Sequence, residues 1–281
     1  MQITNICKRH ILPVTEKELK EIIAKAPNKS CDLDPLPTYL LKQCCDQLIP
    51  MIKAIINKSL SQAYVPPAFK QSIVRPLIKK PSLDKEVLKN YRPVSNIWCL
   101  SKLLEKVVAK RLDAHLSTYG LHDSHQSAYR QNHSTETALL KVHNDIAEAL
   151  DKKSTVAMTM LDLSAAFDVI DHVILAERLD HTFGITSNAS AWIQSYLQDR
   201  FQTVAIGSTS SSRKRLLYEV PQGLVLGPRS FVCTPNLWVT LSGNMICDTM
   251  DMQMILNFTW SSNQKCTGQM WHHQLKCAFP K

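Results

Sequence analysis

The sequence predicts an α+β fold in which helices come first and strands follow. Apolar side chains recur at helical spacing over residues 100–118. An apolar run of strand length covers residues 155–162 and begins with two β-branched residues. Two short strand-like stretches, residues 201–206 and 215–220, flank a serine-rich loop as in a hairpin. Together these patterns predict helices packed against a sheet.

The composition is that of a basic globular protein. Its 281 residues suffice for one large domain or two small ones, and 44% of them are hydrophobic. A formal net charge of +9 fits a polyanionic partner, although charge alone leaves a generically basic protein open. Nine cysteines without a C-x-x-C pair, and no signal-peptide pattern, predict an intracellular protein of the cytoplasm or nucleus that is not secreted. No apolar run approaches membrane-spanning length.

Residues 1–66 are predicted to form a helical N-terminal region. Thr15 and Glu18 make a T-x-x-E capping box ahead of a short apolar helix. Two amphipathic helices follow within residues 38–62, the second with Pro50 in its first turn. We expect this region to serve helical packing.

Residues 67–154 form the next segment. Pro76 interrupts a strand over residues 72–80, and a proline that cannot donate to a ladder predicts an edge strand. The helix at residues 100–118 carries basic residues mostly off its apolar stripe, where they touch either phosphates or water. A second helix is predicted from Ser134 to about residue 150. A basic loop, either solvated or facing nucleic acid, follows the strand and contains Lys79, Lys80, Lys85 and Lys89.

The central strand ends on Asp162, in the run D-L-S-A-A-F-D. A carboxylate at the end of a buried strand is costly unless a metal or a partner compensates its charge. The placement suits metal-assisted phosphoryl chemistry, in which carboxylates and substrate phosphates hold Mg²⁺. The alternative is an Asp that caps the helix beginning at Ser164 or Ala165.

Five ordered motifs together resemble the reverse transcriptases of non-LTR (LINE-type) retrotransposons. D-L-S-A-A-F-D and P-Q-G-L-V-L-G-P resemble their A and B motifs. The resemblance continues upstream through N-Y-R-P-V-S-N, L-S-K-L-L-E-K-V-V-A-K-R-L and H-Q-S-A-Y-R-Q-N-H-S-T-E-T-A-L-L, and it reaches N-K-S-C-D-L-D-P-L-P. It covers about the first four-fifths of the chain and implies fingers within residues 67–154 and a partial palm within residues 155–232.

The resemblance also implies a polymerase site. A primer 3′-hydroxyl attacks the α-phosphate of a deoxynucleoside triphosphate on an RNA template, and two Mg²⁺ ions assist. Asp162 matches the first catalytic, metal-binding carboxylate, and the backbone carbonyl of Leu163 is a further metal ligand by the same resemblance.

Five other residues match positions around the nucleotide. Phe167 matches the steric gate that favours deoxynucleotides, and Arg92 and Arg130 match fingers positions that face the triphosphate or the template. Gln222 and Gly223 match positions that pack against the incoming nucleotide and the template, where a bare glycine backbone permits close approach.

The sequence also departs from the family's pattern. Leu224 stands where a small residue is usual, and Glu219 stands where glycine is usual, so we expect a bulky side chain beside the nucleotide. The family's Y-A-D-D motif supplies the second carboxylate and should fall near residues 251–256. The sequence has no Asp-Asp pair after Pro228.

A shifted reading frame explains this departure. The run D-M-Q-M-I-L-N, residues 251–257, fits codons that encode Y-A-D-D-T-Q when read from the third base of the first codon. We therefore hypothesise a frameshift near residues 231–233 and a poorly ordered, aberrant tail over residues 233–281. A zinc site is an alternative for the tail, although its spacing matches no standard site: Cys266, His272, His273 and Cys277.

Three hypotheses follow from the sequence. The first is a truncated, catalytically inactive remnant of a retrotransposon reverse transcriptase, without thumb or endonuclease. The second is a competent polymerase, if the frame differs or a partner chain supplies the missing part. The third is a non-enzymatic nucleic-acid-binding protein that keeps the basic fingers.

Overall fold

A computed structural model describes two compact units of this chain. One comprises residues 1–121 and 167–234, and the other comprises residues 122–166 and 235–281. The described residues are 10–123, 126–162, 170–218, 220–233, 245–247 and 253–260, with backbone alone for 157–162, 231–232, 245–247 and 253–260.

The chain combines helices and strands, as the sequence predicted. The helices are α1 (Glu16–Ala24), α2 (Thr38–Gln43), α3 (Cys45–Ser61), α4 (Cys99–Thr118), α5 (Thr135–Asp151), α6 (His172–His181), α7 (Ser187–Leu197) and α8 (Gly227–Cys233). The strands are β1 (Gln71–Ile78), β2 (Tyr91–Asn96), β3 (Thr155–Asp162), β4 (Arg200–Ile206), β5 (Thr209–Ser210), β6 (Lys214–Leu216), β7 (Met245–Cys247) and β8 (Gln253–Trp260). Among the helices of the described ranges, none is both long enough and apolar enough to cross a bilayer.

The sheet of the first unit is mixed, and β1 lies inside it. β1 pairs antiparallel with β2 and parallel with β4, so the edge position predicted for it is wrong. Pro76 is tolerated because the ladder with β4 ends at Val74 and because Pro76 faces Pro93 across the ladder with β2. Neither proline can donate a hydrogen bond. Lys79 N donates to Asn90 O (2.8 Å), and because hydrogen-bonded and non-hydrogen-bonded pairs alternate along an antiparallel ladder, Pro76 and Pro93 form a non-hydrogen-bonded pair.

The apolar core of the first unit is built around α4. Its stripe packs in one cluster with side chains of α1, α3, α6 and α7, including the fully buried Trp192. Gly120, with a φ of +62°, follows the helix. The buried stripe residues of α4 are those that the helical spacing indicated: Leu103, Leu104, Val107, Val108, Leu112 and Leu116.

The N-terminal helices differ in detail from the prediction. Thr15 caps α1 by accepting a hydrogen bond from Glu18 N, but the Glu18 carboxylate does not complete the capping box. Instead it accepts two bonds from Arg111 (2.7 and 2.6 Å) and pairs with Lys110 at 3.0 Å. These two cations of α4 therefore hold α1. The break between α2 and α3 falls at Cys44, so Pro50 lies inside α3 at an exposed position.

The second unit combines α5 with a three-stranded sheet in the order β3-β8-β7. Ser134 caps α5 in a reciprocal capping box with Thr137. β3 pairs antiparallel with β8 along its whole length, from Thr155 opposite Trp260 to Asp162 opposite Gln253.

Two stretches of the tail are therefore strands, where the sequence predicted a poorly ordered tail. The run Q-M-I-L-N-F-T-W of β8 is apolar and β-prone, and an open strand edge recruits such a run. The residues of the zinc alternative lie outside the described ranges.

Candidate functional site

The loop that carries the B motif, residues 220–226, is called here the P-Q-G loop, and it packs against β2. Ser95 N donates a hydrogen bond to Gln222 O at 2.8 Å. Gly223 has a φ of +103°, and a Cβ at this position would lie 3.0 Å from Ser95 O. Glycine is required here because the backbone of β2 leaves no room for a side chain. The close approach expected toward a nucleotide is thus made to β2.

Arg92 lies on the same strand, three residues before Ser95, and its side chain is exposed. The first unit therefore brings the N-Y-R-P-V-S-N motif and the B motif together, although they are far apart in sequence. The connection between β1 and β2, residues 79–90, is called here the basic hairpin. Its four lysines are all exposed: Lys79, Lys80, Lys85 and Lys89.

Leu224 is a core residue and not an obstacle beside the nucleotide. It is 3% exposed and belongs to the apolar cluster around α4. The expectation of a bulky side chain at the site is wrong for this residue, because the loop turns it inward. Glu219, the other departure from the family pattern, lies outside the described residues.

A buried carboxylate that sequence reasoning missed lies behind this loop. Glu105 of α4 is 1% exposed, and its Oε2 accepts hydrogen bonds from Val225 N (2.6 Å) and Leu226 N (3.3 Å). Tyr196 donates its hydroxyl to Oε1 at 3.1 Å. Burial raises the pKa of the Glu105 carboxyl, and the positive charge of Arg200 and these hydrogen bonds oppose the rise.

Arg200 is buried in the same cluster. It is 1% exposed, its guanidinium lies 4.7 Å from the centre of the Tyr196 ring, and its Nη1 donates to Tyr196 O at 3.0 Å. Its Nε and Nη2 have no hydrogen-bond partner among the described residues. The sequence signal for this cluster was a charged residue, Glu105, inside the apolar stripe of α4.

The remaining predicted site residues belong to the second unit or lie outside the described ranges. Arg130 is half-buried in the turn before α5, and its Nη1 donates to Asp123 O at 3.1 Å. Asp162 is the last residue of β3. Leu163 and Phe167 are not among the described residues.

The pairing of β3 with β8 fixes which residue stands opposite Asp162. The register position opposite Asp162 is occupied by Gln253, whose side chain is a neutral amide. No group of three or more His, Cys, Asp or Glu side chains that can hold an ion occurs in the part of the chain whose side chains are described. Asp171 caps α6 by accepting hydrogen bonds from Val173 N and Ile174 N.

Comparison with known proteins identifies the family of this chain. Residues 78–236, more than half of the chain, match the reverse transcriptase (RNA-dependent DNA polymerase) family. The chain therefore belongs to the reverse transcriptase family, which confirms the resemblance that its five motifs carried.

The relatives that the chain matches come from mobile elements. It is 30% identical over 219 residues to the "Probable RNA-directed DNA polymerase from transposon BS" of Drosophila melanogaster, which covers 78% of this chain and 24% of that protein. It is 30% identical over 216 residues to the "RNA-directed DNA polymerase from mobile element jockey" of the same species, covering 76% of this chain and 23% of that protein. The chain thus spans about a quarter of the length of these relatives.

Proposed function

We propose that this chain is a non-LTR reverse transcriptase domain that binds nucleic acid but does not extend a primer. The observation that carries the proposal is the residue opposite Asp162. Two-metal phosphoryl transfer needs carboxylates that fix and neutralise both ions. In the register of β3 and β8 the facing position is Gln253, and the sequence beyond Pro228 has no Asp-Asp pair. These residues do not fit a pair of Mg²⁺ ions.

Binding is supported by the first unit. The basic hairpin and Arg92 of β2 present exposed cations, and such a surface attracts a phosphate backbone. RNA template, DNA primer and deoxynucleoside triphosphates are the ligands of this proposal, in keeping with the family to which the chain belongs.

An active polymerase is the second candidate. Two acidic residues do follow Pro228 in the sequence, Asp248 and Asp251, and Asp251 stands two positions before Gln253. Either of these residues supplies the second carboxylate if its side chain lies next to Asp162 at the end of β3. The two candidates differ in whether nucleotide addition depends on Asp162.

Primer extension on poly(rA)/oligo(dT) separates the two candidates. With Mg²⁺ or Mn²⁺, we expect no synthesis above that of Asp162→Asn. Synthesis by the wild type that Asp162→Asn abolishes would overturn the proposal, and Asp248→Asn and Asp251→Asn would then identify the second carboxylate. Transcript sequence across codon 232 tests the cause, since a frameshift requires another frame that encodes Y-A-D-D-T-Q.

Fluorescence anisotropy with a fluorescently labelled poly(rA)/oligo(dT) duplex tests binding of nucleic acid. We expect the affinity to fall with rising salt, and Arg92→Ala and Arg130→Ala to weaken it, each reducing the salt slope by about 1. Lys53→Ala is the matched control, because it removes the same charge at a side chain paired with Glu16, away from the basic hairpin. Equal losses in all three variants, or no binding by the wild type, would contradict the proposed binding.

A further inference from the structure

We propose that Glu105 is a positioning residue that fixes the P-Q-G loop against β2 from inside the protein. The inference rests on the proposed function insofar as Gln222 and Gly223 contact nucleotide or template. Its structural part, the placement of the loop by one carboxylate, concerns the protein alone.

The loop is held at both of its ends. On one side, Gln222 O accepts from Ser95 N, which ties the loop to β2. On the other side, the N–H groups of Val225 and Leu226 converge on a single carboxylate oxygen of Glu105. Between these two attachments, the side chain of Leu224 is buried in the core. The loop is therefore anchored both before and after Gly223.

The carboxylate is itself held in place by α7 and β4. Tyr196 of α7 donates to the other oxygen of Glu105, and its ring is stacked on Trp192 at 5.6 Å with an interplanar angle of 10°. Arg200, the first residue of β4, lies over the Tyr196 ring and contributes positive charge. One buried carboxylate therefore connects α4, α7 and the P-Q-G loop. Arg200, beside it, begins β4, which belongs to the same sheet as β2.

A carboxylate does here what an apolar residue cannot. Two backbone N–H groups and one hydroxyl need acceptors beside Glu105, which is 1% exposed, and a buried donor without an acceptor is unfavourable. Packing alone would be better served by leucine, since a buried charge loses its hydration. The loop that it holds explains why a carboxyl group lies within the apolar stripe of α4.

Hydrogen exchange on the full chain tests the positioning role. In Glu105→Leu we expect the Val225 and Leu226 amides to exchange at least about tenfold faster, the loss that follows from removing hydrogen bonds of about 1.4 kcal/mol in total. Glu105→Gln keeps the shape and one acceptor, so it should restore most of the protection. Amides of β1 should be unchanged in both variants.

Asp113→Asn is the matched control on the same helix. Asp113 accepts hydrogen bonds from Arg229 of α8 at 2.8 and 2.6 Å, and Arg229 Nη1 donates to Val225 O at 3.1 Å. The substitution therefore perturbs α4 and one carbonyl of the loop, but it leaves the acceptor of the Val225 and Leu226 N–H groups in place. Unchanged exchange of residues 225–226 in Glu105→Leu would overturn the inference. An equal rise over the whole first unit in both Glu105 variants would also overturn it, since that is general destabilisation.

The functional part has its own measurement. Binding of dTTP to the poly(rA)/oligo(dT) complex should weaken about tenfold in Glu105→Leu and much less in Glu105→Gln and Asp113→Asn. Unchanged dTTP affinity in Glu105→Leu, with a wild type that binds, would overturn this part. A wild type that binds no nucleic acid would contradict the proposed function, whereas the exchange experiment would still decide whether Glu105 holds the loop.

Discussion

Gly223 and Ser95 are in backbone contact, although they belong to motifs that are far apart in the sequence. A Cβ at Gly223 would lie 3.0 Å from the carbonyl oxygen of Ser95 and 3.6 Å from Cγ1 of Val94. The glycine also has a φ of +103°, a backbone conformation that side chains disfavour. The two motifs therefore depend on each other for their placement.

Replacing Gly223 by alanine should destabilise the protein by about 2 kcal/mol, because the new methyl group is strained in φ and crowded by β2. Urea unfolding followed by circular dichroism measures the change. Gly120→Ala is the control, since Gly120 also has a positive φ (+62°) but a Cβ there would meet nothing within 4 Å. Equal losses in the two variants would show that the contact with Ser95 is unimportant.

The ion pair between Glu18 and Arg111 predicts a pH dependence of stability. The Arg111 side chain, hydrogen-bonded to the Glu18 carboxyl, lowers its pKa from 4.5 to about 2. A carboxyl whose pKa is lowered by folding stabilises the protein above its unfolded pKa, and the contribution is lost as the pH falls from 4.5 to about 2. Glu18→Gln should therefore cost about 2 kcal/mol at pH 7, after allowance for partial solvent screening.

The measurement is urea unfolding of wild type and Glu18→Gln at a series of pH values. The difference between the two proteins should narrow below pH 4.5. Glu16→Gln on the same helix is the control, because its partner Lys53 forms an exposed pair and the substitution should change stability little. A difference between wild type and Glu18→Gln that does not change with pH would contradict the role of the charge.

Leu224→Ala distinguishes a core residue from an obstacle in the nucleotide site. Because Leu224 is buried among the side chains around α4, we expect the free energy of unfolding to fall by about 3 kcal/mol. The exposed Leu88, replaced by alanine, should change stability by less than about 0.5 kcal/mol. A Leu224→Ala protein of unchanged stability and tighter nucleotide binding would restore the original interpretation.

Gln253→Asp tests whether the strand end lacks only a carboxylate. The substitution puts an acidic residue at the register position opposite Asp162, and like charges at opposite positions destabilise a sheet. We expect a lower melting temperature than wild type in EDTA and a recovery with Mn²⁺. An ion at a hundred times its dissociation constant stabilises by about 2.7 kcal/mol. The double variant with Asp162→Asn should lose the Mn²⁺ response, and an equal response in all three proteins would refute the assignment.

Local features of the fold were predictable from the sequence. The stripe of α4 was identified by its helical spacing, and α5 begins after Ser134 as expected. These features depend on residues within one or two helical turns, so a single stretch of sequence contains the information.

Partner choice was not predictable in the same way. Glu18 matched a local capping box but binds Arg111, 93 positions away. Glu105 reaches Tyr196 and Val225, which are 91 and 120 positions away. Pro76 suggested an edge strand, but the sequence does not tell that Pro76 pairs with Pro93 or that the ladder with β4 ends at Val204. Periodicity reports which face is buried, but not what covers it.

The parallel pairing of β1 with β4 has a consequence for synthesis on the ribosome. Ser72 of β1 donates its hydroxyl to the carbonyl oxygen of Phe201 in β4, which is 129 positions away. At about 5–20 residues per second, the nascent chain takes roughly 6 to 26 seconds to supply the second strand. Throughout that interval one side of β1 has open backbone groups, and an open strand edge is a template for self-association of unfinished chains.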